Sequence, residues 1–395
     1  AAKEAEKEAE DDDAEPARIG IIDLKLGKKV REIVGGPETE GVEFSKDGKQ
    51  LVITNEADNT VTVHSMKSGK LLKTIKTHEY GDRPRGIGFL PDGSRNAMQI
   101  QRLKNKMGNV ANASCETELR GATAHMVGGE GRGVATILKM VTMTRFDCMI
   151  GSSAGMRMAA SQALHHCAQR SAFGNVLNQQ PLMQNVLADL ALESEAALTL
   201  TMRMARAMDH RADPHEDLLV RLVTAVGKYW ICKRTPNHAY EAMECIGGSG
   251  VMEDSMMPRL YREAPVNAIW EGSGNVQCLD VMRALSKTPA VLTAFFTEVA
   301  KAKGAHPALD GFVATLAADL KDLRDFEYRA RDVVDRMALA MQASLLARHA
   351  PTFVSDAFCH SRLAQVGHHH YGTLPRGVDA AAIIARATPK SETNQ

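Results

Sequence analysis

Glu271 stands between Ile269-Trp270 and Gly272-Ser273-Gly274-Asn275. A carboxylate beside such small residues can act as a general base next to a bound ligand, or can merely cap a helix. Arg170 closes a long stretch of helical periodicity. Its guanidinium could grip phosphate oxygens through two parallel hydrogen bonds, or simply complement the negative end of a helix dipole. Gly128-Gly129-Glu130-Gly131-Arg132-Gly133 invites a nucleotide-loop reading, but it only precedes a helix and reads as a turn. The runs His165-His166 and His368-His369-His370 suggest metal at first sight. Adjacent histidines on a helix point in different directions, and a short run in a Gly-flanked loop is usually solvated, so no metal is expected.

The elements that must hold these residues fall into zones along the 395-residue chain. Residues 1–16 (AAKEAEKEAEDDDAEP) have no apolar face to bury and predict a disordered acidic tail. From Ile19 short β-branched runs alternate with turn signals, which predicts antiparallel β structure. Gly41-Val42-Glu43-Phe44-Ser45-Lys46-Asp47-Gly48 recurs as Gly86-Ile87-Gly88-Phe89-Leu90-Pro91-Asp92-Gly93. A period of roughly 40 to 45 residues is that of a four-stranded propeller blade with Asp-Gly at a hairpin turn, so residues 17–94 predict two propeller-like blades. Two blades cannot close a ring, and the segment reads as a remnant. After Arg95 comes a short β-like piece. Gly133–Gln169, Pro181–His210 and Asp213–Ile246 then place apolar residues three and four apart, predicting consecutive amphipathic helices of an antiparallel bundle. The helical pattern continues over 289–303, 307–349, 351–366 and 376–386. The abundant methionines are expected as core filler.

Three segments of the bundle, taken in order, resemble the acyl-CoA dehydrogenases. They are Arg170-Ser171-Ala172-Phe173-Gly174 with Gln179-Gln180-Pro181, then Glu244-Cys245-Ile246-Gly247-Gly248-Ser249-Gly250, then Tyr261-Arg262-Glu263 through Ile269-Trp270-Glu271-Gly272-Ser273-Gly274-Asn275. The runs Arg102–Asn109, Ser114-Cys115-Glu116 and Thr144-Arg145-Phe146-Asp147 extend the likeness, and with Trp270 they resemble the family's alkylation-response branch. The resemblance covers roughly three-quarters of the chain. It implies a multi-domain, mainly α protein. Its parts are the tail 1–16, the β fragment 17–94, a remnant of a middle β domain 95–132, the helical bundle 133–286, and further helices and a tail over 287–395.

The same resemblance implies FAD as cofactor, an acyl-CoA thioester as substrate and α,β-dehydrogenation as the reaction. It assigns Glu271 as the base that removes the α proton while a β hydride leaves to the flavin. Such a base needs a dry pocket that raises its proton affinity. Arg170 would reach the FAD pyrophosphate of a neighbouring subunit. Phe173, Gln180, Gly247, Gly248, Ile269, Trp270, Gly272, Ser273 and Asn275 would line the flavin, and Arg145 would face the substrate. Some members carry the base on an earlier helix; here Thr144 occupies that position and cannot serve, which favours Glu271. Glu244, where most members have Gln, and Val251, where most have an aromatic residue, depart from the pattern. The family's amino-terminal helical domain and most of its middle β domain are absent, which removes half the pocket. Phe89–Asn96 reads both as the end of a propeller hairpin and as the segment before the Arg102 run, which points to a fusion there.

Charge and cysteine usage narrow the alternatives. Lys plus Arg and Asp plus Glu both number 48, so no global field favours a polyanion or an anionic membrane. No apolar run approaches the roughly 18 residues of a membrane-spanning helix. Seven dispersed cysteines without a CxxC pair predict free thiols and a cytoplasmic location. Two other functions stay open. One is DNA binding through the carboxy-terminal helices, disfavoured because residues 301–350 carry eight basic against seven acidic residues. The other is a non-catalytic oligomerising bundle, since the family's bundles assemble as dimers of dimers.

Overall fold

The computed structural model describes residues 16–23, 25–37, 39–55, 60–76, 96–322, 324–364, 371, 374 and 377–389. The expected acidic tail, the second copy of the repeat, the junction at 89–95 and His368–His370 lie essentially outside those residues. The chain divides into two compact units, Ala1–Met126 and Val127–Gln395.

In the first unit β1 (Arg18–Asp23) and β2 (Lys28–Val34) form an antiparallel hairpin. β3 (Thr39–Phe44), β4 (Gln50–Asn55), β5 (Thr60–Ser65) and β6 (Leu71–Lys76) form a four-stranded antiparallel meander in sequence order. Asp47-Gly48 makes the β3–β4 turn as expected: Gly48 takes φ +65, and Asp47 accepts from Ser45 Oγ at 2.8 Å and from the Lys49 amide at 3.1 Å. Up to residue 76 the described residues therefore form one four-stranded unit and a separate hairpin, where the repeat predicts two four-stranded units over 17–94. Their common core is small: Ile33, Leu51 and Ile53, flanked by Ile19, Ile21 and Met66. Asn55 ties the meander together, accepting from the Gly36 amide at 2.8 Å and donating to Thr60 and Thr62 at 3.0 and 3.1 Å. β7 (Gln99–Leu103) pairs antiparallel with β8 (Cys115–Glu118).

The second unit is helical. α1 (Gly133–Gln169), α2 (Pro181–Asp209) and α3 (Pro214–Ile246) follow the expected spans closely. Pro opens both α2 and α3 at the position where its missing N–H costs nothing. Asp213 caps α3 by accepting from the His215 amide at 2.9 Å. α1 and α3 run parallel with α2 between them in direction: Ser152 meets Cys232 near mid-helix, and Cys167 meets the Cys245 carbonyl near both carboxy-terminal ends. α4 (Met257–Asn267) and α5 (Gly274–Lys287) pack on α3, followed by α6 (Ala290–Val299).

The pattern over 307–349 predicts one helix, but the structure has two, α7 (Pro307–Asp319) and α8 (Phe326–His349). The break is local: the Asp322 side chain accepts from the Arg324 amide at 3.0 Å, and Asp325 adopts φ +50, both incompatible with a continuing helix. α9 (Thr352–Phe358) and α10 (Ala380–Ala387) complete the unit, with Arg386 of α10 paired to Glu195 of α2 at 2.8 Å.

Two buried ion clusters fix how the helices meet. Arg203 of α2 is bidentate to both Glu216 of α3 and Glu298 of α6, and Glu298 also receives Arg348 and Lys301. Burial pushes the Glu298 carboxyl up, but these donors outweigh it and hold the group well below the usual range. Glu193 of α2 is gripped by Arg234 and Arg362. By contrast the first three turns of α1 leave Val134, Ile137, Leu138 and Met143 exposed, and α1 is buried in this unit only from Phe146 onward.

Candidate active site

Between α4 and α5 the chain reverses through Trp270-Glu271-Gly272, with Glu271 at φ +58 and Gly272 at φ +100. A Cβ at position 272 would lie 2.7 Å from Gln277 Nε2 and 3.0 Å from Val276 Cγ1, and the positive φ favours glycine there. For Glu271 the left-handed conformation costs roughly 1 kcal/mol and must be over-determined by its surroundings.

The surroundings supply donors to three successive backbone carbonyls. Lys228 of α3 donates to the Trp270 oxygen at 2.6 Å and the Gly272 oxygen at 2.7 Å. Arg145 of α1 donates from Nε to the Glu271 oxygen at 3.1 Å, and Gln277 of α5 donates to the same oxygen at 3.1 Å and to that of Gly272 at 2.8 Å. Lys228 is only 1% exposed, and burial pulls its ammonium below the ordinary lysine value. Arg145 is anchored in turn by Asp280 at 2.7 Å, which Arg221 also grips at 3.1 Å. Burial pushes the Asp280 carboxyl up, but hydrogen bonds and charges from Arg221 and Arg145 prevail and keep it below the usual range.

The Glu271 side chain is half-buried, and its Oε2 lies 2.9 Å from Thr144 Oγ1 of α1. Trp270 is held by its indole N–H, which donates to Asn267 Oδ1 at 3.0 Å, while Asn267 donates to Ser152 at 3.2 Å. Ile269 and Ser273 are exposed. Asn275 is exposed as well and accepts from Arg331 of α8 at 2.9 Å. Sequence reading located Glu271 and its neighbours but missed Lys228, Gln277 and Asp280. A lone lysine within the apolar run Thr224-Ala225-Val226-Gly227-Lys228-Tyr229-Trp230-Ile231 was the available signal for the first.

The remaining predicted residues form a second cluster. Arg170 is exposed at the end of α1, its guanidinium without a partner among the described residues. Beyond it a tight hairpin, β9 (Ser171–Ala172) and β10 (Asn175–Val176), places Phe173 at φ +53 and Gly174 at φ +83, with Phe173 97% exposed. Gln180 supports this hairpin by donating to the Ala172 carbonyl at 2.9 Å. Gly247 and Gly248 follow the end of α3; a Cβ at either would meet no atom within 4 Å, so the backbone is open to an incoming group. Gly250 differs: its Cβ would strike the Met243 carbonyl at 2.5 Å, so it shapes the turn rather than faces outward.

These two clusters sit at opposite ends of the bundle. Thr144 and Arg170 are separated by 26 residues of one helix, or roughly 39 Å of rise. The link between Cys167 and Cys245 puts Gly247 at the Arg170 end.

Most of the basic residues between 301 and 350 are committed within the chain. Lys301 and Arg348 bind Glu298, Arg324 binds Asp322, Arg336 binds Asp319, Arg331 binds Asn275, and Arg329 binds the carbonyls of Asp322 and Arg324. Among the described residues, Lys303 and Lys321 of that group have no such bond.

Residues 131–286 match the family model described as acyl-CoA dehydrogenase, C-terminal domain. The chain is 46% identical over 271 residues to the putative acyl-CoA dehydrogenase AidB of Escherichia coli strain K12, covering 69% of this chain and 50% of AidB. It is 29% identical over 373 residues to acyl-CoA dehydrogenase family member 11 of Caenorhabditis elegans, covering 92% of this chain and 58% of that protein. The crystal structure of Caenorhabditis elegans ACDH-11 in complex with C11-CoA superposes with a TM-score of 0.66 at 25% identity, over 84% of this chain and 62% of that one. The chain thus spans about half the length of the curated relatives it matches.

Proposed function

Residues 131–286 belong to the acyl-CoA dehydrogenase C-terminal domain family, and on that premise we propose that this chain carries two half-sites of an FAD-dependent acyl-CoA dehydrogenase. Glu271 is the base of one half-site, and Arg170 with Gly247-Gly248 binds flavin in the other. The observation that carries the reading is the Glu271 carboxylate, held in an unfavourable backbone conformation by donors from three helices.

The residues fit a dinucleotide. An unpaired, exposed guanidinium at Arg170 suits a pyrophosphate. The Gly247-Gly248 backbone is unobstructed, and Phe173 offers an uncovered apolar ring. Their separation of roughly 39 Å from Thr144 and Glu271 supports a composite site, in which Arg170, Phe173, Gln180 and Gly247-Gly248 of one copy serve the flavin facing Ile269–Asn275 of another. A homo-oligomer built from such pairs, as a dimer of dimers, follows from that reading.

When bound, FAD would supply the hydride acceptor. The chain's part is to remove the α proton from an acyl-CoA. Glu271 takes it on its carboxylate, and the Arg145, Lys228 and Gln277 contacts prevent the bend from yielding as charge leaves the side chain. Thr144 keeps Oε2 in place, and the indole N–H of Trp270, donating to Asn267, fixes the residue before the base.

The test is to add FAD to the purified protein, remove the excess, record the visible spectrum, and then add acyl-CoA without oxygen. A retained flavin band that bleaches in the wild type and persists in Glu271→Gln supports the reading. A colourless protein overturns it in favour of a non-catalytic scaffold.

A further inference from the structure

α8 lies outside the 131–286 span, yet one of its side chains reaches the turn that follows Glu271 and another, one helical turn on, lies behind it. Arg331 donates from Nε to Asn275 Oδ1 at 2.9 Å. Asp335 lies half-buried beside Tyr229 of α3. The Tyr229 ring in turn lies against Gly274, where a Cβ would come within 3.4 Å of Cε2. Tyr229 and Cys278 are buried at the α3, α5 and α8 contact. Thus α8 touches Asn275 directly and Gly274 through one intervening ring. Burial pushes the Asp335 carboxyl up to about 6.

The Arg331 contact also orients the Asn275 amide. Its guanidinium has five donors and no acceptor, so it can engage only the amide oxygen. With Oδ1 turned to Arg331, exposed Asn275 keeps both Nδ2 hydrogens for a ligand. A ligand atom facing Nδ2 would accept a hydrogen bond.

Resting on the reading that Ser273–Asn275 faces a flavin, we propose that α8 braces this turn and that Arg331 is a positioning residue that orients the Asn275 amide so that its Nδ2 hydrogens donate toward the cofactor. The helices after residue 286 are then part of the cofactor site's support and not an appendage.

The experiment compares wild type, Arg331→Ala, Arg331→Lys and Asn275→Asp by hydrogen exchange of the segment 272–276 in flavin-free protein, and by FAD affinity from fluorescence quenching. Loss of one such contact should raise exchange and weaken FAD by about three- to tenfold in Arg331→Ala, with the melting temperature nearly unchanged and recovery in Arg331→Lys. Asn275→Asp keeps its partner but loses its donors, so its exchange stays low while FAD binding falls. Wild-type exchange in Arg331→Ala overturns the brace, and undiminished FAD binding by Asn275→Asp overturns the donor role. If exchange responds but the wild type binds no FAD, the brace stands and the flavin reading fails.

Discussion

The Thr144 hydroxyl lies 2.9 Å from Glu271 Oε2 and 3.0 Å from the carbonyl oxygen of Val141, and its single proton can serve only one of them at a time. Donated to Glu271, it meets an ionised carboxylate. Turned to Val141, it leaves an oxygen lone pair able to accept from a protonated Glu271. The contact therefore persists on both sides of a proton transfer. Thr144→Val should keep the flavin band and lower turnover by about tenfold, the equivalent of one hydrogen bond. Steady-state kinetics beside the visible spectrum check this; unchanged turnover would remove Thr144 from the mechanism.

Lys228 should matter for stability as well as for the site. In Lys228→Met the stem packing is kept, but the Trp270 carbonyl loses its donor and the Gly272 carbonyl keeps only Gln277. An unsatisfied buried acceptor costs about 1–3 kcal/mol, and urea midpoints should fall accordingly.

Acid stability should depend on His238. Its Nε2 donates to the Leu190 carbonyl inside the bundle, and burial pulls the imidazole down to about 4. Glu193 and Asp189 oppose that shift and Arg234 adds to it. The folded state thus binds fewer protons than the unfolded chain between the ordinary histidine value and 4. Stability is fully present above about 6.5 and is lost as pH falls, by about 2–3 kcal/mol at pH 4.5. His238→Gln, which retains a donor to Leu190, should flatten that slope in urea melts at pH 7 and 4.5.

Arg170→Ala should leave the melting temperature within about 1 °C, because an exposed guanidinium without a partner contributes little to folding. The same change should weaken FAD retention. A stable variant with wild-type flavin content would exclude Arg170 from cofactor binding.

How much of this was legible in the sequence differs by region. The spans of α1, α2 and α3 were legible because apolar spacing, Pro at the first turn and Gly after Ile246 all agree. The break between α7 and α8 was not, since Asp322 and Asp325 are compatible with an exposed helical face and stop the helix only through a local backbone bond and a left-handed residue. Glu271 was found from its neighbours in the chain. Lys228, Arg145 and Gln277 converge on it from three helices, and no spacing in one sequence records that convergence. The order of Arg170, Gly247 and Glu271 along the chain likewise conceals that the first two share one end of the bundle and the third does not.

That separation has a genetic consequence. Under the proposed two-copy site, an Arg170→Ala chain still carries a working base, and a Glu271→Gln chain still carries a working flavin grip. When the two chains pair, one shared site inherits both defects and the other inherits neither. Two inactive variants mixed from the unfolded state would then recover part of the activity, whereas the same two substitutions placed in a single chain would recover none.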